Sequence, residues 1–213
     1  MMVTKAANAI EVMHRLERVY PHARIALNFS NPLELLAATI LSAQSTDIGV
    51  NKATPVVFAK YKTAADYAGA DVSELERLIK STGFYHNKAK SIIGAAKVLV
   101  RDFEGKVPKT MAEIITLPGV ARKTGNVVLF NAYGVTEGIA VDTHVIRLST
   151  RLGLSHEKDP EKIEKDLMRQ VLKEKWGPFS YLLIDHGRAI CIARKTKCVI
   201  CVLNDICPSA FKV

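Results

Sequence analysis

Four cysteines lie within the last 23 residues of this 213-residue chain, and the rest of the sequence contains none. They follow the pattern C-x6-C-x2-C-x5-C, at Cys191, Cys198, Cys201 and Cys207. Four thiolates in so short a segment can converge on one metal centre. The segment has little apolar core of its own, so a bound metal would have to order it. This pattern therefore predicts that the chain folds its last residues around one metal site.

The spacing favours a [4Fe–4S] cluster over a zinc ion. Zinc sites more often use two closely spaced cysteine pairs, and here only Cys198 and Cys201 are close. The alternatives are a zinc-stabilised structural domain, two structural disulfides, or four unrelated buried thiols. Disulfides suit small secreted chains, whereas the first 20 residues contain Glu11 and Glu17 and lack a signal-peptide apolar run. We therefore expect a cytoplasmic protein in a reducing compartment.

The charge of the chain points to a polyanionic partner. Lysine and arginine exceed aspartate and glutamate by nine, and the pI is about 9.4. Such an excess favours nucleic acid as a partner, although many basic proteins bind none. Aromatic residues are sparse, so a broad stacking surface for single strands is not indicated. No run of 18 apolar residues occurs, so we expect no membrane span.

Helix start and stop signals recur along the chain. Asn31, Pro32 and Glu34 are typical of an N-cap, a first-turn proline and a capping-box acid, and Ser73 with Glu76 repeats the device. The apolar residues Ile10, Met13, Leu16 and Val19 predict an earlier helix face. Other predicted helix starts are Thr110, Asp142, Asp159–Pro160 and Gly177–Pro178. Predicted helix ends are Gly83, Gly105, Gly153 and Gly134, the last of which closes a helix over 122–133. The alternation of apolar and polar residues that is typical of a β-strand is only briefly hinted at, over 139–141. We therefore predict an all-α fold.

The segment LPGVARKTG, residues 117–125, joins two short predicted helices through a tight glycine-bearing turn. Such a turn exposes backbone N–H groups at the start of the second helix, where a phosphate can bind without sequence readout. The alternative is an ordinary αα-hairpin between core helices.

Lys123 lies in the first turn of the second of these helices. The helix N-terminus disfavours a nearby positive charge and so favours the neutral amine, a candidate nucleophile for a Schiff base. The alternative role is a plain phosphate contact. Asp142, in the stretch IAVDTHVIRL, is expected to cap a helix. A carboxylate aimed at a developing positive charge is compatible with that role.

Three motifs resemble, in their order along the chain, those of the endonuclease III family of the helix-hairpin-helix DNA glycosylase superfamily. They are LPGVARKTGNVVL, then AVDTH, then the cysteine pattern. LLAATILSAQSTDIGVNKATP and HGRAICIARKTKC are similar to that family as well, so the resemblance spans about residues 8–208. It implies a base excision repair enzyme that is both a DNA glycosylase for oxidised pyrimidines, such as thymine glycol, and an abasic-site lyase. Its partner would be double-stranded DNA containing damaged bases or abasic sites, and we expect a monomer associated with the nucleoid.

The resemblance also implies two helical lobes. Residues 25–135 would form a six-helix barrel domain that ends in the helix-hairpin-helix. Residues 1–24 and 136–213 would form a discontinuous iron–sulfur cluster domain, with DNA in the groove between the lobes. We expect the cluster to serve a structural role rather than a redox one, because cleavage of a glycosidic bond requires no electron.

Carried over residue by residue, the family's motifs place the catalytic lysine at Lys123 and the catalytic aspartate at Asp142. The four cysteines match the cluster ligands. Gln44 matches a residue that fills the gap left by the extruded nucleotide, and Phe84 stands where the family usually places a leucine wedge.

Two further sets of contacts to DNA are expected. Gly119 and Ala121 would offer backbone N–H groups to phosphate, and the cluster-segment residues Arg194, Lys195 and Lys197 would face the DNA backbone. Ala121 stands in place of the hairpin's second glycine. Alanine would be strained there if φ were positive, but it suffices if only the N–H is used, which is what we expect.

Two competing functions remain at this point. A monofunctional adenine or mismatch glycosylase would carry a glutamate where this chain has Ala38 and would lack Lys123. A non-enzymatic DNA-binding or electron-transfer module would need neither Lys123 nor Asp142. The residues present at these positions oppose both alternatives.

Overall fold

The computed structural model describes residues 7–213, so residues 1–6 of the predicted segment 1–24 lie outside it. The α-helices of the described part are α1 Ala9–Val19, α2 Pro32–Ser42, α3 Asp47–Lys60, α4 Ala64–Ala68, α5 Val72–Ile79, α6 Tyr85–Asp102, α7 Met111–Ile114, α8 Arg122–Tyr133, α9 Thr143–Leu152, α10 Pro160–Met168 and α11 Trp176–Ala189. Short 3-10 turns lie at Lys80–Thr82, Lys173–Lys175 and Cys198–Ile200. The described residues contain no strand, the hint at 139–141 included, which confirms the all-α prediction.

Side-chain caps explain several of these helix starts. Asn31 accepts a hydrogen bond from the N–H of Glu34 at 2.9 Å, and Thr110 caps α7 as predicted. The predicted N-cap Ser73 is wrong. α5 begins two residues earlier because Asp71 accepts from the N–H of Glu74 at 2.8 Å, which places Ser73 inside the first turn.

Other boundaries match the prediction in part. α10 begins at Pro160 after the cap Asp159, as predicted. α11 begins at Trp176, ahead of the predicted start, with Gly177 and Pro178 in its first turn, where a proline needs no N–H partner. α4, which was not among the predicted helices, begins with a capping box of Thr63 and Asp66.

The chain divides into two units, and the one from Ala26 to Glu137 contains α2 to α8. Its centre is α2, whose residues 35–41 are all buried. This helix packs against α3, α6 and α8. A helix that is apolar on all sides must be surrounded by others, so α2 organises the unit that carries the hairpin.

The other unit combines the chain up to Ile25 with Gly138–Val213 and contains α1, α9, α10 and α11. α1 buries Val12, Met13 and Leu16 in the core of this unit. Ile10 and Val19 of the predicted face are exposed instead, because the buried stripe is centred on Val12 and Leu16, four residues apart.

Polar contacts reinforce the connection between α1 and the C-terminal segment. Arg15 donates to the carbonyl oxygen of Val202 at 3.0 Å and pairs with Asp205. Lys175 pairs with Glu17 at 2.9 Å. No helix within residues 7–213 is long and apolar enough to cross a membrane.

Candidate nucleic-acid interface and metal centre

The turn between α7 and α8 depends on glycine. Gly119 has φ +78°, and a Cβ atom added there would lie 2.6 Å from the Cβ of Ser91. Gly125 lets α8 approach α7 closely, because an added Cβ would lie 2.8 Å from the Sδ of Met111. Both the backbone conformation and the lack of space therefore require glycine at position 119.

We expect Gly119→Ala to lower the free energy of unfolding by about 3 kcal/mol or more, because it adds a steric clash to an unfavourable φ. Gly134→Ala is the matched control: Gly134 also has a positive φ, +68°, but an added Cβ would meet no atom within 4 Å. That variant should lose only about 1 kcal/mol. Thermal or urea unfolding measures both, and equal losses would show that the contact with Ser91 does not matter.

The start of α8 has no capping side chain. Ala121 occupies the N-cap position with φ −91° and ψ 172°, an extended conformation that any residue adopts. Alanine is therefore unstrained here. Because its side chain cannot accept a hydrogen bond, the first turn of α8 presents N–H groups and a partial positive charge at its end.

Lys123 lies in this first turn, and its side chain is exposed. It makes no hydrogen bond or ion pair with the other residues of Ala26–Glu137. The hairpin thus presents a free primary amine next to an uncapped helix N-terminus. Such an amine can act as a nucleophile toward carbon.

Asp142 caps α9 in the other unit. Its Oδ1 atom accepts hydrogen bonds from the backbone N–H groups of His144 and Val145, both at 2.8 Å. The carboxylate is half-buried, and these two bonds fix its orientation. Burial lowers the pKa of the neighbouring His144. The Asp142 charge raises it, but the positive charges of Arg147 and Arg188 oppose that effect, and the net shift is downward. A fixed carboxylate beside a neutral imidazole can therefore act in electrostatic stabilisation or proton transfer.

The two side chains predicted to enter the duplex share an unusual backbone conformation. Gln44 has φ +52° and Phe84 has φ +49°, and both side chains are exposed. Phe84 exposes 63% of its surface, although burial of an aromatic ring would be favourable. Left-handed conformations are uncommon for residues other than glycine and concentrate at functional sites. The structure thus presents both side chains on sharp turns.

All four cysteines line one pocket, which we call the cysteine pocket. They are half-buried and none forms a disulfide, so the disulfide alternative is wrong. Within residues 7–213, no three His, Cys, Asp or Glu side chains lie close enough together to hold a single metal ion. The pocket therefore brings four potential ligands together without forming a compact single-ion site.

Hydrogen-bond partners surround the sulfur atoms. The backbone N–H of Leu203 donates to the Sγ of Cys201 at 3.4 Å, and the Nε2 of His186 lies 3.4 Å from the same atom. Burial raises the pKa of the Cys201 and Cys207 thiols. A hydrogen bond with the Thr196 hydroxyl lowers the pKa of Cys198. Ligation requires thiolates, so a bound cation would offset the cost of ionising the buried pair.

Two arginines of α9, neither of which was predicted as a site residue, hold the start of the cysteine segment. Arg151 donates to the Sγ of Cys191 at 3.3 Å and to the carbonyl oxygens of residues 192 and 193. Arg147 donates to the carbonyl oxygens of Cys191 at 3.1 Å and of Gly187 at 2.9 Å. Their spacing of four residues, which places them on one helix face, is the signal that was available.

The segment 192–197, which we call the basic loop, carries the three predicted phosphate contacts. Arg194, Lys195 and Lys197 are all exposed. The backbone N–H of Lys197 donates to the carbonyl oxygen of Ile190 at 3.1 Å, which closes the loop at its base. Three positive charges therefore project from a loop that begins and ends beside the cysteine pocket.

Comparison with known proteins places these features in context. The model of the "HhH-GPD superfamily base excision DNA repair protein" family matches residues 37–173, more than half of the chain. Endonuclease III of Synechocystis sp. is 51% identical over 98% of this chain and 95% of its own length. Endonuclease III of Bacillus subtilis is 45% identical over 92% of this chain and 89% of its own. Among solved structures, a trapped endonuclease III–DNA covalent intermediate matches with a TM-score of 0.91 and 41% identity, over 95% of each chain.

Proposed function

We propose that this chain, which belongs to the endonuclease III family within the HhH-GPD superfamily of base excision DNA repair proteins, removes oxidised pyrimidines such as thymine glycol from double-stranded DNA and then cuts the strand. It is a base excision repair DNA glycosylase and abasic-site lyase. The observation that carries the proposed chemistry is the exposed amine of Lys123 in the first turn of the uncapped helix α8.

The reaction begins with attack by the neutral Lys123 amine on the sugar C1′ atom. The bond between C1′ and the base breaks, and the base leaves with the electron pair and takes up a proton. Loss of the ring oxygen from C1′ then gives a Schiff base between the lysine nitrogen and C1′. The Schiff base acidifies the C2′ proton, and its removal drives cleavage of the bond between C3′ and oxygen, so the 3′ phosphate departs.

Asp142 would supply a negative charge during these reaction steps. Its carboxylate, oriented by two backbone N–H groups, would stabilise positive charge on the sugar and assist proton transfer. His144 would remain neutral at pH 7, because burial lowers its pKa, and would act as a hydrogen-bonding group rather than a cation.

The protein would first bind duplex DNA through its phosphate backbone, before it contacts the bases. The hairpin N–H groups near Gly119 and Ala121 would contact phosphate, as helix N-termini do. Extrusion of the damaged nucleotide costs less than extrusion of an intact one, because damaged bases pair and stack poorly. Gln44 would fill the gap that remains, and Phe84 would wedge into the strand.

We infer that the cysteine pocket, which all four cysteines line, would hold a [4Fe–4S] cluster through the four thiolates. A cube of iron and sulfur atoms separates its ligands more widely than a single ion does, so these thiols need not meet the spacing of a zinc site. The cluster would cross-link the segment that carries the basic loop. On this basis the Ala26–Glu137 unit would be the barrel domain and the other unit the cluster domain.

The test is base release from a duplex that contains one thymine glycol, followed by borohydride trapping. We expect free thymine glycol, a nicked strand and a covalent protein–DNA adduct, with none of these from the same duplex containing intact thymine. Base release without an adduct would replace the proposal with a monofunctional glycosylase. Binding without base release or strand cleavage would indicate a non-catalytic DNA-binding protein.

Asp142 can be tested separately as a cap and as a carboxylate. Asparagine is as good an N-cap as aspartate, so Asp142→Asn should leave the free energy of unfolding within about 0.5 kcal/mol, whereas Asp142→Ala should lose about 1 kcal/mol. Both variants lack the charge and should excise thymine glycol about 100-fold more slowly in single-turnover assays. Full activity of Asp142→Asn would mean that Asp142 only caps α9.

Neutralising the basic loop should weaken DNA binding in a salt-dependent way. Each of Arg194→Gln, Lys195→Gln and Lys197→Gln should reduce the slope of log K against log salt by about 0.9, the effect of one phosphate contact. Lys165→Gln, at an exposed lysine of α10, removes the same charge elsewhere in this unit and serves as the control. Slopes that match the control would exclude the loop from the DNA interface.

A further inference from the structure

Lys88 is a buried lysine that the proposed reaction does not use. Its side chain is 4% exposed, and no carboxylate within residues 7–213 pairs with it. The Nζ atom donates a hydrogen bond to the carbonyl oxygen of Thr82 at 2.7 Å, and burial lowers the pKa of the amine. A buried ammonium is unfavourable unless it is well hydrogen-bonded. Its place in the first turns of α6, near the positive end of the helix dipole, adds to that cost.

The bonded carbonyl belongs to a sharp turn at residues 82–84, which we call the wedge turn. Thr82 is buried, and its hydroxyl donates to the carbonyl oxygen of Ile79 at 2.7 Å. Gly83 follows with φ +67° and ψ 160°, and Phe84 with φ +49° and ψ 27°. The turn thus holds two consecutive residues at positive φ and leaves the ring of Phe84 in solvent.

Lys88 contacts both ends of this turn. Its side chain binds the carbonyl oxygen of Thr82, and its backbone N–H donates to the carbonyl oxygen of Phe84 at 3.1 Å. The second bond belongs to α6 and would form with any residue but proline at this position. The first requires a long side chain with a donor at its tip. An apolar side chain of similar length would leave the buried Thr82 carbonyl without a partner.

We propose that Lys88 is a positioning residue, which holds the wedge turn in the conformation from which Phe84 enters the DNA duplex. The proposal rests on the proposed function, because it assigns Lys88 a role only if Phe84 separates the strands. Without the bond to Thr82, the carbonyl would turn toward water, and Phe84 would leave its left-handed conformation for a more favourable one. Lys88 does not act as a second nucleophile, because its amine is enclosed by protein.

The test uses a duplex with 2-aminopurine opposite a thymine glycol, since the fluorescence of 2-aminopurine rises when it unstacks. Lys88→Met should open this duplex about tenfold less than wild type and should release the paired lesion about tenfold more slowly. Cleavage of a preformed abasic site, which has no base pair to open, should stay within about twofold. Lys90→Met, at an exposed lysine of the same helix, should match wild type in every assay.

Combination with Phe84→Ala separates positioning from general damage. If Lys88 acts through Phe84, Lys88→Met should cost nothing further in a Phe84→Ala background. Three results would each overturn the proposal. They are additive losses of duplex opening in the double variant, equal losses of rate on the paired and abasic substrates, and unchanged duplex opening by Lys88→Met. Because opening and base release are measured separately, a wild-type protein that opens the duplex but spares thymine glycol would refute the substrate assignment alone.

If Lys88→Met does not fold, Gly83→Ala tests the same turn from the surface. An added Cβ at Gly83 meets no atom within 4 Å, so this variant acts only through the positive φ. We expect a loss of duplex opening that is again absent in the Phe84→Ala background. Lys88→Arg, which keeps a charged donor, should recover opening relative to Lys88→Gln. Normal opening by Gly83→Ala, or no difference between the arginine and glutamine variants, would contradict the proposal.

Discussion

Lys123→Gln is expected to form no borohydride-trapped adduct with abasic DNA and to lower strand cleavage by at least about 1,000-fold, as removal of a covalent nucleophile does. The amide of glutamine is not nucleophilic, so neither displacement of the base nor Schiff-base formation can begin. The adduct is measured by gel mobility after reduction, and cleavage by single-turnover kinetics on a duplex with one abasic site.

The same variant should still bind DNA. Lys123 is exposed and makes no hydrogen bond or ion pair within its own unit, so its replacement should leave the unfolding temperature unchanged and the affinity for an abasic duplex within about tenfold, the worth of one phosphate contact. Lys97→Gln, at an exposed lysine of α6, controls for the loss of one charge. An adduct that persists in Lys123→Gln would assign the nucleophile to another amine.

Cys201→Ser should remove the proposed cluster and destabilise the unit that would hold it. Cys201 packs against the core of this unit and receives the backbone hydrogen bond from Leu203, so its loss should disrupt both the proposed metal site and its support. We expect loss of protein-bound iron and of the broad visible absorption of the cluster. The unfolding temperature should fall by about 10 °C, which corresponds to about 3 kcal/mol in a protein of this size.

Val202→Ser serves as the control for this variant, because it changes the same segment without removing a thiol. It should retain iron and colour. Metal analysis of the wild-type protein decides between the two metals: zinc in place of iron would favour the zinc-stabilised structural domain. Iron retained by Cys201→Ser would show that this cysteine is not a ligand.

The sequence predicts the helical fold well because most helix boundaries here are set by local chemistry. Asn31, Thr110 and Asp142 each cap a helix with their own side chain, and Gly134 and Gly153 each follow a helix end with a positive φ. Where two capping residues compete, the sequence alone does not decide between them. Asp71 and Ser73 each precede a glutamate by three positions, and burial of Leu75 and Ile79 fits the start at Asp71.

The candidate site is less visible in the sequence, because its supporting residues act over long distances along the chain. Arg151 reaches a sulfur atom 40 residues away. Its spacing from Arg147 places both side chains on one helix face, but does not indicate which distant residues they contact. Lys88 is hidden for another reason, since lysines are almost never buried and a lysine at a helix start is expected in solvent. The proposed catalytic and DNA-binding residues stay predictions until the variants above are measured.

The discontinuity of the second unit has a consequence for synthesis on the ribosome. Val12 and Leu16 of α1 share one buried core with Phe179 and Leu183 of α11, which are translated more than 150 residues later. The Ala26–Glu137 unit is continuous and has all its partners as soon as it emerges. Long-range contacts form late and leave apolar surface open to misassembly. The apolar face of α1 therefore stays exposed to water, or bound by a chaperone, until α11 has left the ribosomal exit tunnel.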